Sequence, residues 1–206
     1  MTTSEQITAI KEWLGTGSIN IFGRPFAGKD TQGRIIAELL SANLLGGGDI
    51  LRGSDIPKKT KEVMRLGKLI PTEDYISIVL PFLSKEEFAS QPLVLSSVGR
   101  WAGEEEGVLE ATKAAGHDIK AVVYLNLPSD VVHERWSVLH ERMDRGERHD
   151  DTPEILEIRL AEFKDKTLPV LEAYEHKNLL IEIDGQQSPE DVTNAIILAL
   201  ASRASA

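Results

Sequence analysis

The sequence contains no cysteine among its 206 residues, so it can form neither a disulfide framework nor a thiolate metal site. It has no apolar run that approaches bilayer length, and its first residues lack the basic and apolar regions of an export signal. Acidic residues outnumber basic ones 33 to 23, and the resulting net charge of -10 argues against a nucleic-acid-binding surface. These absences predict a cytoplasmic protein that binds neither nucleic acid nor membrane.

What the sequence does contain is an alternation of short apolar runs and longer helical patterns. This pattern predicts one compact α/β domain with a parallel sheet and helices on both faces. Strands are expected at 19–22, 93–97, 121–127 and 179–183. Helices are expected at 29–42, 57–66, 72–83, 102–115, 129–143, 153–176 and 188–203, after an amphipathic packing helix near the N-terminus. Pro169 should break or bend the helix expected at 153–176.

The most informative motif follows the first predicted strand. Residues 23–32 read Gly-Arg-Pro-Phe-Ala-Gly-Lys-Asp-Thr-Gln and fit the spacing G-x-x-x-x-G-K-x-T. Glycines let the backbone curl so that successive N–H groups face phosphate oxygens, and Lys29 adds positive charge. The helix that follows contributes its N-terminal amides and the positive end of its dipole. The motif therefore predicts a site for nucleotide phosphates.

Basic side chains recur after the predicted strands. In an open parallel sheet the ligand lies beyond the carboxyl ends of the strands, so the loops there carry the chemistry. Any one of these residues could equally belong to a solvated surface. Their position on the side of the phosphate loop, in an otherwise acidic protein, favours anion binding. They are Arg52, Lys68, Arg100, Arg135, Arg142, Arg145, Arg148 and Arg159.

Taken in order, the motifs resemble those of adenylate kinases, within the nucleoside monophosphate kinase family. Residues 23–32 resemble the family's loop G-x-P-G-x-G-K-G-T-Q, and residues 48–52 resemble its segment T-G-D-M-L-R. Residues 67–71 resemble G-x-L-V-P, and residues 95–100 lie where the family has L-D-G-F-P-R. Residues 148–154 with Arg159 resemble the short-lid signature R-x-D-D-x-x-E and its later arginine, and residues 167–174 match T-x-P-x-x-x-x-Y.

The resemblance implies a P-loop NTPase-type three-layer α/β fold with two small mobile segments. The core would comprise residues 16–47, 80–142 and 152–206 of a single domain. A segment at about 48–79 would close over the monophosphate, and a short lid at about 143–151 would close over ATP. Without cysteines or a histidine cluster, this lid is not the zinc-bearing type. A monomer is expected.

The resemblance also implies transfer of the γ-phosphoryl group from ATP, accompanied by Mg²⁺, to a nucleoside monophosphate. The residues implied in phosphoryl transfer are Lys29, Arg100, Arg135, Arg142, Arg148 and Arg159. Those implied in ATP binding are Arg24, Pro25, Phe26, Ala27, Gly28, Lys29, Asp30 and Thr31. Those implied in monophosphate binding are Gly47, Arg52, Lys68, Ile70, Ser97, Arg100 and Glu104.

Two departures from the family pattern concern carboxylates near the phosphates. Asp30 stands where the family has glycine, and Ser96 stands where it has an aspartate that orients magnesium-bound water. One hypothesis links them: the carboxylate lost from the strand end is replaced by Asp30, which would hold Mg²⁺. The alternative is that Asp30 points outward and caps the helix.

A third departure concerns the acceptor base. Glu104 stands where adenylate kinases carry a glutamine that pairs with the adenine edge. An ionised carboxylate only accepts hydrogen bonds, and guanine presents two donors on that edge, so GMP or another non-adenine acceptor is possible beside AMP. The alternative is that residues 104–106 form only a solvated helix start.

Two other function classes stay open at this stage. Asp30 and Ser96 would also suit a nucleotide-binding regulatory protein with weakened catalysis. The phosphate loop alone would suit a kinase of another small metabolite, because it does not name the acceptor.

Overall fold

A computed structural model describes residues 2–141 and 152–205 of the chain. Its centre is a five-stranded, all-parallel sheet. The strands are β1 (Ser18–Gly23), β2 (Asn43–Gly46), β3 (Leu93–Ser96), β4 (Ile119–Asn126) and β5 (Leu180–Asp184). Their order across the sheet is β2-β3-β1-β4-β5, so the first strand lies in the middle and the chain winds away from it in both directions.

Helices cover both faces of the sheet, as the alternating sequence pattern predicts. They are α1 (Thr3–Leu14), α2 (Lys29–Leu40), α3 (Gly47–Gly53), α4 (Lys58–Arg65), α5 (Thr72–Leu83), α6 (Glu104–Ala114), α7 (Ser129–Glu141), α8 (Pro153–Glu162), α9 (Leu168–His176) and α10 (Pro189–Ala204). A short 3-10 turn spans Glu86–Phe88, and a π-helical turn spans Phe163–Thr167. The three-layer fold class is confirmed.

Two hydrophobic clusters form the core, one on each face of the sheet. Helices α1, α2 and α10 bury their apolar faces in the first cluster, and helices α5, α6 and α9 bury theirs in the second. Strand β1 is buried along its whole length and contributes Ile19 and Ile21 to the first cluster and Phe22 to the second. The near-continuous apolar run is therefore that of a central strand covered on both faces.

The structure adds two elements to those predicted and contains the break expected near Pro169. Strand β2 and helix α3 were not predicted, because β2 has only four residues and runs directly into three glycines. The helix expected at 153–176 is interrupted, and the interruption is the π-helical turn that precedes Pro169. Proline lacks the N–H that a regular α-helix would bond to residue 165, which is consistent with an irregular turn there.

In the described part of the chain, no helix is long and apolar enough to cross a membrane.

One polar side chain in the central strand fixes the backbone that follows β3. Asn20 is fully buried, donates from Nδ2 to the carbonyl of Val98 at 2.8 Å, and accepts from the Val98 N–H at 3.2 Å. Both backbone groups of Val98 are thus satisfied by one amide side chain. The turn that carries Ser97 and Arg100 is anchored to β1 through this pair of hydrogen bonds.

We expect Asn20→Leu to lower the free energy of unfolding by about 2 to 4 kcal/mol, because it leaves two buried backbone groups of Val98 without partners. Chemical denaturation measures the change. The matched control is Asn43→Leu, whose amide bonds the exposed Gln91 side chain and should cost less than about 1 kcal/mol. Equal, small losses in the two variants would contradict the anchoring role of Asn20.

Candidate active site

The chain leaves β1 through the phosphate loop predicted from the sequence and enters α2 at Lys29. A Cβ on Gly23 would lie 2.9 Å from the Cβ of Ala27, so the turn requires glycine at that position. Gly28 caps the helix with φ 88°, in the left-handed region that favours glycine. A loop that ends in the N-terminus of a twelve-residue helix is suited to bind phosphate oxygens.

Phe26 adopts a conformation in this loop that is unusual for a large side chain. Its φ is 64°, which costs on the order of 1–3 kcal/mol for a residue other than glycine. The ring is only 7% exposed and belongs to the first core cluster, and this burial offsets the backbone cost. The guanidinium of Arg159 lies 6.0 Å from the ring centroid, at the outer limit of a cation–π contact. Phe26 therefore connects the loop with helix α8.

The side chain of Arg24 points away from the phosphate site. Its Nη1 donates to the carbonyl of Leu127 at 2.8 Å, to the Tyr124 hydroxyl at 3.0 Å and to Asn126 Oδ1 at 3.2 Å. Its guanidinium also lies 5.4 Å from the centroid of the Phe163 ring. The Arg24 side chain thus ties the loop to the end of β4, and its expected part in ATP binding stays a prediction.

Asp30 and Ser96, the two linked departures of the sequence, are in contact. Ser96 Oγ donates to Asp30 Oδ1 at 3.2 Å, across the gap between the first turn of α2 and the end of β3. The same Asp30 oxygen lies 3.8 Å from Lys29 Nζ, and the Asp30 side chain is 61% exposed. The carboxylate thus stands at the strand end where the family's aspartate would be, but it comes from the phosphate loop.

A cavity of about 170 Å³ lies beyond the carboxyl ends of β2 and β3. Its lining includes Lys29, Asp30 and Arg159, residues of the segment from α3 to α5, and residues from the end of β3 to the start of α6. Every residue that the resemblance implies in monophosphate binding lines this cavity: Gly47, Arg52, Lys68, Ile70, Ser97, Arg100 and Glu104. Residues that sequence reasoning missed also line it, among them Met64, Tyr75 and Trp101. Tyr75 escaped notice because its spacing with Val79 and Leu83 reads as an ordinary core stripe.

The turn at residues 99–101 is held by two buried side chains that line the cavity. The hydroxyl of Tyr75 accepts a hydrogen bond from the Gly99 N–H at 3.0 Å. Glu104 Oε2 accepts from the N–H groups of Arg100 at 2.8 Å and Trp101 at 3.0 Å. Tyr75 is 6% exposed and Glu104 is 2% exposed, so the alternative that Glu104 belongs to a solvated helix start is wrong.

The surroundings of Arg100 disfavour its charged form. Burial lowers the pKa of its guanidinium to about 10, and repulsion from Arg159 acts in the same direction. Its Nε is buried and has no hydrogen-bond partner in the described part of the chain. Because the folded pKa lies below that of the unfolded chain, the cost is fully present at every pH below about 10. An anion in the cavity would supply the missing partner.

A second cavity of about 590 Å³ lies on the α2 side of the phosphate loop. Its walls include Ala27, Gly28 and Thr31 of the loop and helix, parts of α7, and the turn after β5. Arg135 lines this cavity, where it donates to the carbonyls of Gly185 at 2.7 Å and Phe26 at 3.3 Å. These two bonds hold the Arg135 guanidinium at the second cavity, and its expected place around the transferring phosphate stays a prediction. The expected catalytic residues Arg142 and Arg148, and the lid at 143–151, lie outside the described residues.

We expect Arg100→Met to raise the free energy of unfolding of the ligand-free protein by on the order of 1–3 kcal/mol, because it removes a charge that burial and repulsion from Arg159 disfavour. The same variant should lose most of the rise in Tm that millimolar phosphate gives the parent protein. Thermal and chemical unfolding, with and without phosphate, measure both effects.

The control is Arg52→Met, since the Arg52 side chain is 55% exposed and pairs with Asp49. Its unfolding free energy should change by less than about 0.5 kcal/mol. A less stable Arg100→Met variant that kept the full phosphate effect would contradict this account of Arg100.

Comparison with known proteins agrees with this site. The adenylate kinase family model matches residues 21–179. An adenylate kinase from Dehalococcoides mccartyi is 31% identical over an alignment of length 211, which covers 89% of this chain and 97% of that protein. Adenylate kinases from Xylella fastidiosa and Caulobacter sp. are 29% and 31% identical, over 87% of this chain and 97% and 96% of their own lengths. The chain belongs to the adenylate kinase family and is a phosphotransferase of the nucleoside monophosphate kinase type.

Proposed function

We propose that this chain transfers the γ-phosphoryl group of ATP to AMP, the acceptor that the names of its relatives indicate. The observation that carries this proposal is the pair of cavities that share the phosphate loop as a wall. Lys29 and Asp30 line one cavity, whereas Ala27, Gly28 and Thr31 line the other. Phosphoryl transfer between two nucleotides needs donor and acceptor to meet in line, and a shared phosphate site supports that arrangement.

The basic side chains take distinct parts in this scheme. Lys29 holds the phosphates of the donor, and Arg52 and Arg100 grip the α-phosphate of the acceptor. Arg159 and Lys29 both line the cavity of about 170 Å³, which we call the acceptor cavity. In this scheme Arg159 neutralises charge on the transferring group. Arg142 and Arg148 remain proposed partners of that group. Gly47, Lys68, Ile70 and Ser97 form the walls around the acceptor.

The second cavity is proposed to receive the base and ribose of ATP. The phosphate loop forms one wall, through Ala27 and Gly28. Pro25 and Phe26 precede them in the same loop and are buried. Arg135 joins the loop carbonyl of Phe26 to the turn after β5, and in this position it can stack on a base. Closure of about 48–79 over the acceptor, and of a lid at about 143–151 over ATP, would exclude water.

Magnesium is the cofactor that the family implies, and Asp30 is the residue proposed to hold it. In the described part of the chain, no three or more His, Cys, Asp or Glu side chains gather into a metal site. This fits Mg²⁺, which is commonly held by one or two carboxylates together with substrate phosphates. The Asp30 carboxylate is exposed beside Lys29 and oriented by Ser96. When bound, the ion neutralises charge on the donor phosphates.

We expect Asp30→Ala to raise the Mg²⁺ concentration needed for half-maximal activity by about tenfold or more, since the proposed carboxylate ligand is lost. Asp30→Gly combined with Ser96→Asp should restore much of the magnesium dependence by returning the carboxylate to the strand end. The control is Asp118→Ala, which removes an exposed acid just before β4, at the end of the strands away from the phosphate loop. Activity of Asp30→Ala with unchanged magnesium dependence would rule out the metal role.

A specific observation favours GMP as a second candidate acceptor. Glu104 Oε2 is committed to two backbone N–H groups, and Oε1 is buried without a partner in the described part of the chain. A carboxylate oxygen accepts hydrogen bonds but cannot donate one to N1 of adenine. Guanine instead carries N–H donors at N1 and N2. The buried carboxylate therefore favours guanine at this position more than a glutamine would.

Glu104→Gln tests this preference without removing the support of the turn, because the amide oxygen can still accept from Arg100 and Trp101. Only the second atom changes, from an acceptor to a donor. We expect the variant to raise the ratio of kcat/KM for AMP to that for GMP by about tenfold. An ADP-coupled assay with AMP, GMP, UMP and CMP measures it. Clear preference of the parent enzyme for AMP would eliminate the GMP candidate.

The same assay separates this proposal from the other two function classes. Tight ATP binding without turnover of any monophosphate would favour a regulatory nucleotide-binding protein, and turnover of another metabolite would favour a different kinase.

We further propose that the enzyme acts in the cytoplasm as a monomer that binds neither nucleic acid nor membrane. The net charge of -10 supports the first of these exclusions.

A further inference from the structure

The turn at 99–101 leaves one hydrogen-bonding function unused on each of the two side chains that hold it. The hydroxyl of Tyr75 accepts from Gly99, but no acceptor for its own proton lies within hydrogen-bond distance in the described part of the chain. Glu104 Oε1 likewise has no donor there. Both residues line the acceptor cavity. Buried polar groups of this kind are rarely left without partners, which points to a ligand that supplies them.

The two unused functions belong to side chains that bond consecutive N–H groups of the same turn. Three consecutive N–H groups, those of Gly99, Arg100 and Trp101, are bonded by the Tyr75 oxygen and by Glu104 Oε2. The two side chains are thus separated by about one peptide unit along the turn. Burial raises the pKa of the Tyr75 phenol well above its ordinary value, with a further contribution from the Glu104 charge. The phenol therefore stays protonated and keeps its donor at neutral pH.

Gly47 lies directly against the Tyr75 hydroxyl. A Cβ on Gly47 would lie 2.7 Å from the Tyr75 oxygen, a distance that real Cβ atoms do not tolerate. The hydroxyl thus reaches from α5 to the start of α3 and occupies space that any larger residue at 47 would need. Tyr75 and Gly47 form a matched pair that holds the donor in the cavity.

We propose that Tyr75 and Glu104 form a donor–acceptor pair that reads the base of the acceptor nucleotide, with Tyr75 as a specificity-determining residue. The inference rests on the proposed function, since it concerns the same acceptor site. Guanine presents an adjacent acceptor and donor on one edge, O6 and N1–H. The hydroxyl proton bonds the acceptor atom, and Glu104 Oε1 bonds the donor. A smaller pyrimidine on the same ribose phosphate would reach the pair less well.

Tyr75→Phe removes the hydroxyl and keeps the ring in the second core cluster. We expect KM for the preferred purine monophosphate to rise about tenfold, KM for ATP to stay unchanged, and the preference for purine over pyrimidine acceptors to fall by a similar factor. The matched control is Tyr174→Phe, which removes another buried hydroxyl, on α9, that does not line the cavity. It should leave the preference among AMP, GMP, UMP and CMP as in the parent enzyme.

A second variant and a binding measurement keep the test decisive if Tyr75→Phe unfolds. Gly47→Ala displaces the hydroxyl without removing it, and it should weaken purine monophosphate binding in the same selective way. Calorimetric titration of each monophosphate into the parent and both variants gives the result even without turnover. Equal losses for all four acceptors would overturn the specificity role of Tyr75. Absence of turnover in the parent, with selective loss of binding in the variants, would instead contradict the proposed function.

Discussion

Burial of the central strand on both faces is the constraint on which the site depends. Ile19 and Ile21 pack on one side of β1 and Phe22 on the other, so the strand cannot shift its register without exposing apolar surface. The phosphate loop begins where this strand ends, and the neighbouring strands β3 and β4 end at the same edge. A rigid edge of this kind can hold phosphates and basic side chains in a geometry set before substrate arrives.

Charge is distributed unevenly over the molecule. The chain carries a net charge of -10, yet Lys29, Arg100 and Arg159 line one cavity. Burial and repulsion from Arg159 disfavour the charged form of Arg100, as its lowered pKa indicates. The proposed binding of phosphate oxygens beside Arg100 would offset this destabilisation. Stability and function therefore oppose each other at Arg100.

Each unusual residue of the phosphate loop has a partner far away in the sequence. Phe26 meets Arg159 of α8, and Asp30 meets Ser96 at the end of β3. Arg24 meets the end of β4. The loop has a strand–loop–helix geometry, and its side chains contact distant parts of the chain. Substitutions at these positions are best understood together with those partners.

The fold class, the phosphate loop and most residues that line the first cavity could be predicted from the sequence alone. These follow from local spacing and from the rule that parallel strands end at one edge, which together place Arg52, Arg100 and Glu104 near the loop. Strand β2 and helix α3 were missed because four residues before a glycine run carry too little periodicity. The directions of long side chains could be seen only in the structure. Arg24 and Arg135 both lie near the phosphate loop, but Arg24 bonds the chain just after β4, and Arg135 bonds the turn beside the second cavity.

The same holds for Tyr75, whose helical spacing indicates a core residue while its hydroxyl lies in the acceptor cavity. Side-chain direction depends on contacts between residues distant in the chain, and local spacing carries no information about them.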